Sequence, residues 1–198
     1  MNRRAVLAWP LLLAGCASVL PKQKYIPRVS WPLDPQPPQA RPANETGKVV
    51  LVRALAAGPG MDTQAIQTLN ADGSLTLSYY NQWAAVPAQA ASGVLQNWLT
   101  ASGAFSAVVS PGSRLSPDLI VEGALTELLD DPAHGRAIAV MTLLVIRNVR
   151  GNTRPLAQRR ITGTAPLSGS GYAAAAAAQA AALANAMAQA VAFISGFA

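Results

Sequence analysis

A chain of 198 residues with 51% hydrophobic and only 12% charged side chains has the size of one ordinary domain, and its formal net charge is +6. One cysteine, Cys16, and one histidine, His134, exclude a disulfide framework and a thiolate or multi-histidine metal centre. Arg160 is the last charged residue, so a long C-terminal stretch carries none. Such a charge-poor surface implies cover by a partner or by further copies of the chain, and a homo-oligomer is expected.

Arg3 and Arg4 precede an apolar run from Ala5 to Ala14, which ends in Leu13-Ala14-Gly15-Cys16. The run is about ten residues long, whereas a membrane-spanning helix needs roughly 20, so this is an export signal and not a permanent anchor. Leu-Ala-Gly-Cys resembles the lipobox of bacterial lipoproteins. The resemblance implies a signal peptide over 1–15, cleavage before Cys16, a diacylglycerol on its sulfur and an acyl chain on its new amino group. Three chains, at about 0.8 kcal/mol per buried methylene, hold far more firmly than one. Ala17 rather than Asp after the cysteine implies, for such lipoproteins, the outer membrane and its periplasmic side.

Residues 16–47 contain Pro21, Pro27, Pro32, Pro35, Pro37, Pro38 and Pro42. That density predicts a stiff tether, up to roughly 95 Å at about 3.1 Å per residue, with Tyr25, Ile26 and Trp31 as local docking points. The domain proper is expected over 48–198. Val49 to Ala56 alternates as a strand, and Ala65–Leu69 with Leu75–Tyr80 flank the hairpin signal Asp72-Gly73. Val86, Ala90, Val94 and Trp98, beside Leu95 and Leu99, recur at helical spacing. A start near Ala84 to Val86 leaves Pro87 in the first turn, and Gly103 closes the helix.

Asp118–Leu129 and Arg136–Arg147 predict a long hairpin joined by the breakers from Asp130 to Gly135. Ile138 to Ile146 is apolar at nearly every position, as in a strand covered on both faces. Leu156–Ala165 is one more strand. Tyr172 to Phe197 predicts an alanine-rich helix with Leu183, Met187, Val191 and Ile194 on one face and Asn185 and Gln189 on another.

Candidate chemistry is sparse. His134 reads as an exposed turn histidine, and no HExxH, Gly-x-Ser-x-Gly or Walker pattern occurs. Gly169-Ser170-Gly171-Tyr172-Ala173-Ala174 satisfies Gly-x-Gly-x-x-Ala, but it stands too late in the chain for a dinucleotide fold, and Ser168 or Ser170 capping the last helix accounts for it better. Glu122 and Glu127, five apart on a strand, are expected on opposite faces. Tyr79, Tyr80, Trp83 and Trp98 read most simply as core, with lipid or partner contact as the other role for such large apolar rings. The arginines from Arg147 to Arg160 have no interleaved aromatic residue to stack a base, so a solvated hairpin edge is expected and no nucleic acid, with an anionic lipid surface or acidic partner as the second reading.

Taken together, the lipobox, the proline-rich lead, Val49 to Ala54, Asp62 to Ile66 and above all Leu77-Ser78-Tyr79-Tyr80-Asn81-Gln82-Trp83-Ala84-Ala85-Val86-Pro87 resemble the auxiliary lipoproteins of ABC-type transport systems, which accompany Mce-type lipid transporters. Gln82 and Val86 stand where that family usually has Arg and an acidic residue. The resemblance implies an α+β fold, one domain with a mainly antiparallel sheet and two helices packed on one face. It also implies a non-catalytic adaptor without cofactor or metal, docking an Mce-domain periplasmic protein while a separate permease and ATPase move lipid. Tyr79, Tyr80, Trp83 and Pro87 become its candidate contacts with partner or lipid. A lipid-binding carrier with its own apolar cavity, or a lipoprotein regulating a cell-wall synthase, are the other readings.

Overall fold

A computed structural model describes residues 25–198. Cys16 and the expected signal peptide lie outside the described residues.

The order of elements is β1 (Val29–Trp31), β2 (Val49–Val52), β3 (Ala56–Ala57), β4 (Ala65–Leu69), β5 (Leu75–Trp83), α1 (Pro87–Ser102), β6 (Ala107–Val109), β7 (Leu119–Asp131), β8 (Arg136–Val149), β9 (Asn152–Pro166) and α2 (Tyr172–Ser195). The fold is α+β, one nine-stranded sheet with both helices packed against it. The long β7–β8–β9 meander and the β4–β5 hairpin are antiparallel. Parallel pairings, which no local pattern announces, complete it: β2, β3 and β4 line up in turn along one edge of β7, β6 adds to β2, and β1 adds to β5.

The two helices form where the periodicity places them. Pro87 occupies the first turn of α1, where its missing N–H costs no helical bond, and Gly103 ends the helix at φ 67°, in the left-handed region that suits glycine. The helix-facing residues of β8, among them Ala139, Met141, Leu143 and Val145, are fully buried against Leu95, Leu99, Leu183 and Met187. Alanines let α2 approach closely, and Gly163 makes that approach possible, because a Cβ there would collide with the backbone at Ala182 and Ala186. Although α2 is long and apolar enough to cross a membrane, it lies on the sheet, with Ala182, Leu183, Ala186, Met187, Ala190 and Ile194 fully buried.

Several expectations change. The stretch expected to be a free tether packs on the domain from Val29 onward: β1 pairs with β5, Leu33 is buried, and the Trp98 indole donates to Pro35 O at 2.8 Å. The Arg41 and Asn44 amides donate to the carbonyls of Ala101 and Gly103 at the end of α1. The expected strand from Val49 to Ala56 divides into β2 and β3. A bulge between Leu125 and Glu127 shifts the β7 register, so Glu122 opposes Leu144 while Glu127 opposes Val140. Both glutamates therefore lie on one face, contrary to simple alternation. Each is paired with a cation, Glu122 with Arg53 at 2.7 Å and Glu127 with Arg160 at 2.9 Å. On that face of β8, Val140 is buried, whereas Ile138, Leu144 and Ile146 are half-buried without a second layer.

Candidate docking surface

The exposed large apolar side chains gather at one end of the sheet. Of the ten that are exposed, seven belong to β5 or to the segment entering β1: Tyr25, Ile26, Val29, Leu75, Leu77, Tyr79 and Tyr80. The cause is local. Gln67 on β4 opposes Leu77, but Ala65 opposes Gln82, so the four residues from Ser78 to Asn81 face Ile66 alone. The excess chain bulges, held by the Asn81 amide donating to Ser78 Oγ at 3.0 Å. Tyr79 and Tyr80 leave the sheet there, 62% and 40% exposed, with ring centroids 5.1 Å apart in an edge-to-face pair. The Arg28 guanidinium lies 4.3 Å from the Tyr79 ring centroid, the geometry of a cation–π contact.

Tyr79 and Tyr80 therefore lie outside the core, contrary to the expectation from their hydrophobicity. Trp83 and Trp98 are core, at 1% and 7% exposure. Of the four candidate contact residues, Trp83 and Pro87 lie inside the fold and only Tyr79 and Tyr80 reach the surface. Trp83 anchors the bulge: its amide donates to Gln64 O at 2.7 Å, and the next amide, of Ala84, donates to Trp31 O at 2.8 Å.

Polar groups at the other ends of the strands are engaged structurally. His134 Nδ1 stands 2.7 Å from Asp131 Oδ2, with Arg136 Nε at 3.4 Å. The hydrogen bond with His134 holds the Asp131 carboxyl below the usual carboxylate range. Asp130, its neighbour, points the other way along β7, to Thr68 and to Gln179 of α2. Burial pushes its carboxyl above the usual range, partly offset by those two hydrogen bonds. No group of three or more metal-ligating side chains occurs among the described residues. The glycine run at 169–171 enters α2 with Gly171 at the N-cap and no side-chain cap, so neither Ser168 nor Ser170 caps the helix as expected. The arginines of the β8–β9 hairpin are exposed, Arg159 stacking on Phe193 at 4.9 Å from the ring centroid.

The family model described as the ABC-type transport auxiliary lipoprotein component matches residues 31–192. The chain belongs to this family. It is thus an auxiliary component of an ABC-type transport system, and the Tyr79–Tyr80 bulge lies within the matched region. No curated protein matches the chain. Among solved structures, the family member is similar to protein XCC0632 from Xanthomonas campestris, at 20% identity and a TM-score of 0.71, covering 85% of this chain and 97% of that one. It is also similar to the crystal structure of an uncharacterized protein, at 17% identity and a TM-score of 0.58, covering 83% and 98%. Both likenesses are likenesses of fold.

Proposed function

We propose that this chain is a lipid-anchored adaptor at the periplasmic side of the outer membrane, docking the Mce-domain periplasmic protein of a lipid transport system through Tyr79 and Tyr80. Cys16 carries a diacylglycerol and an N-acyl chain, and a separate permease and ATPase supply the work. Copies of the chain assemble, covering surface that the low charge leaves open.

The observation that supports this most is the bulge that displays Tyr79 and Tyr80. Edge-to-face tyrosines standing off a sheet contribute nothing to the core of their own domain, whereas rigid aromatic side chains with a polar tip are the residues that dominate protein interfaces. The packed lead supports it too. With the chain tied down from Val29, the reach from Cys16 to Arg28 is roughly 37 Å at about 3.1 Å per residue, far below the roughly 95 Å of a free tether. The open end of the sheet is then held near the lipid surface, next to the segment that leads from the anchor.

Affinity purification of the full chain from solubilised membranes tests the reading. The Mce-domain protein should co-purify with the wild type and be lost from the Tyr79→Ala/Tyr80→Ala variant. Equal recovery from both would contradict docking at this edge. Recovery of a cell-wall synthase, or stoichiometric phospholipid in native mass spectrometry of the purified domain, would favour the regulator or the carrier instead.

A further inference from the structure

Asp131 is the last acidic residue of the chain, and six arginines follow it. Three of these are engaged: Arg136 with Asp131, Arg160 with Glu127, and Arg159 over the Phe193 ring. Arg147, Arg150 and Arg154, at the tip of the β8–β9 hairpin, are exposed and make no ion pair among the described residues. Arg147 lies directly opposite Arg154 in the ladder, a like-charge pairing that weakens a hairpin. Arg150 takes φ 50° in the turn ahead of Gly151, and among the described residues no other non-glycine residue has a positive φ. Asn or Gly would occupy that place with less strain. Folding alone therefore does not account for this set of cations.

The loop that leads into β7 joins them at the same end of the sheet. Asn148 donates from its side chain to Pro117 O and from its amide to Asp118 O, both at 2.8 Å, which brings Arg114 and Leu115 toward the hairpin tip. Leu115 and Val149 are 52% and 56% exposed, and with Tyr172 they are the exposed large apolar side chains that stand apart from the β1–β5 group. The acidic side chain of the loop, Asp118, is occupied, its Oδ2 accepting from the Val49 amide at 2.9 Å. This end of the domain thus presents two aliphatic side chains, each next to an exposed arginine in the chain.

We propose that this tip rests on the surface of a bilayer containing anionic phospholipid, with Val149 and Leu115 entering the headgroup region and Arg114, Arg147, Arg150 and Arg154 on the phosphates. Charge selects the occupant. Guanidinium groups pair bidentately with phosphate, and an anionic surface relieves the repulsion between Arg147 and Arg154. Aliphatic side chains on turns suit the headgroup boundary, whereas the exposed aromatic pair that suits a protein interface, Tyr79 and Tyr80, lies elsewhere on the sheet. Reach permits the contact as well. From Leu119, opposite Arg147, β7 runs about eleven residues to Asp130, opposite Thr68 of β4, which is roughly 36 Å at about 3.3 Å per residue. The roughly 37 Å of reach from Cys16 to Arg28 matches that span, so an anchored domain can lie lengthwise along the bilayer. The contact rests on the anchored reading for this placement only and needs no docking at Tyr79.

An environment-sensitive fluorescent amino acid at Val149 of the full chain, mixed with vesicles of phosphatidylcholine alone or with phosphatidylglycerol added, tests it. The blue shift of its emission should be at least about threefold larger with the anionic vesicles and should collapse at high salt. The same probe at Ala71, on the β4–β5 turn, should respond alike to both vesicles. The triple variant Arg147→Gln/Arg150→Gln/Arg154→Gln, which alters only exposed side chains, should reduce the Val149 shift to its value with neutral vesicles. An equal shift with both vesicles, no shift with either, or a triple variant that responds as the wild type would overturn the proposal. The comparison of vesicles needs no arginine variant to fold. A photo-crosslinker at Val149 that traps an acidic protein in cells, and no phospholipid, would overturn it in favour of a protein partner. Flotation with phosphatidylcholine vesicles reports the acyl anchor by itself, so failure of the anchor and failure of the tip contact are read separately.

Discussion

The sheet is finished differently at its two sides. On the β9 side, no further strand follows, and the chain itself covers the C-terminal part of the edge: Asn185 and Gln189 of α2 donate to the carbonyls of Thr164 and Thr162 at 2.8 and 2.9 Å. On the β1–β5 side, the strand ends in a bulge that turns two tyrosines outward and leaves seven large apolar side chains exposed. An edge strand invites pairing with other chains unless something covers it. The β9 side spends two helix amides on preventing that, while the β1–β5 side keeps a sticky surface beside the segment from the anchor. The contrast separates the part that keeps the domain folded from the part that meets other molecules.

Breaking the buried root of either side should be costly. Gly163→Val drives a side chain into α2 at Ala182 and Ala186, and the loss should be about 3 kcal/mol, read as a drop in the denaturant midpoint. On the open side, Trp83→Ala removes the buried root of the bulge and should cost about 3–5 kcal/mol, so the bulge depends on the core even though its tip does not. Asn185→Ala with Gln189→Ala should cost about 1–2 kcal/mol and promote concentration-dependent association through β9, visible by light scattering.

Near the start of α2 the two adjacent carboxyls should give opposite pH dependences. Asp130 is raised, so it favours the fold while protonated, and that contribution is lost as pH rises from its ordinary value through its raised one. Asp131 is lowered, so its contribution is present above its ordinary value and lost as pH falls through the lowered one. Urea titrations across the acid range should show Asp130→Asn gaining on the wild type with rising pH and Asp131→Asn losing. The smallest effect on folding belongs to Tyr79→Ala and Tyr80→Ala, within about 0.5 kcal/mol each, because neither ring is packed in the core.

The long elements were legible because they are periodic: α1, α2 and the β7–β8–β9 meander stand where residue spacing puts them. β1, β3 and β6 are two or three residues long, too short to show any period, and their partners are distant in the chain. Bulges defeat alternation altogether. One brought Glu122 and Glu127 to the same face, and the other carried Tyr79 and Tyr80 out of the core their hydrophobicity suggested. Asp130 read as a turn breaker beside Pro132, and only the register with β4 and the crossing of α2 make it a buried carboxylate.

The most direct test of the adaptor role is a photo-crosslinking amino acid placed at Tyr79 in the full-length, acylated chain in living cells. Crosslinking should trap an Mce-domain periplasmic protein, and the same probe at Val149, exposed on the β8–β9 hairpin, should not. A probe at Tyr79 that traps only phospholipid or a cell-wall synthase, or the same protein trapped equally from Val149, would contradict docking through the open side of the sheet.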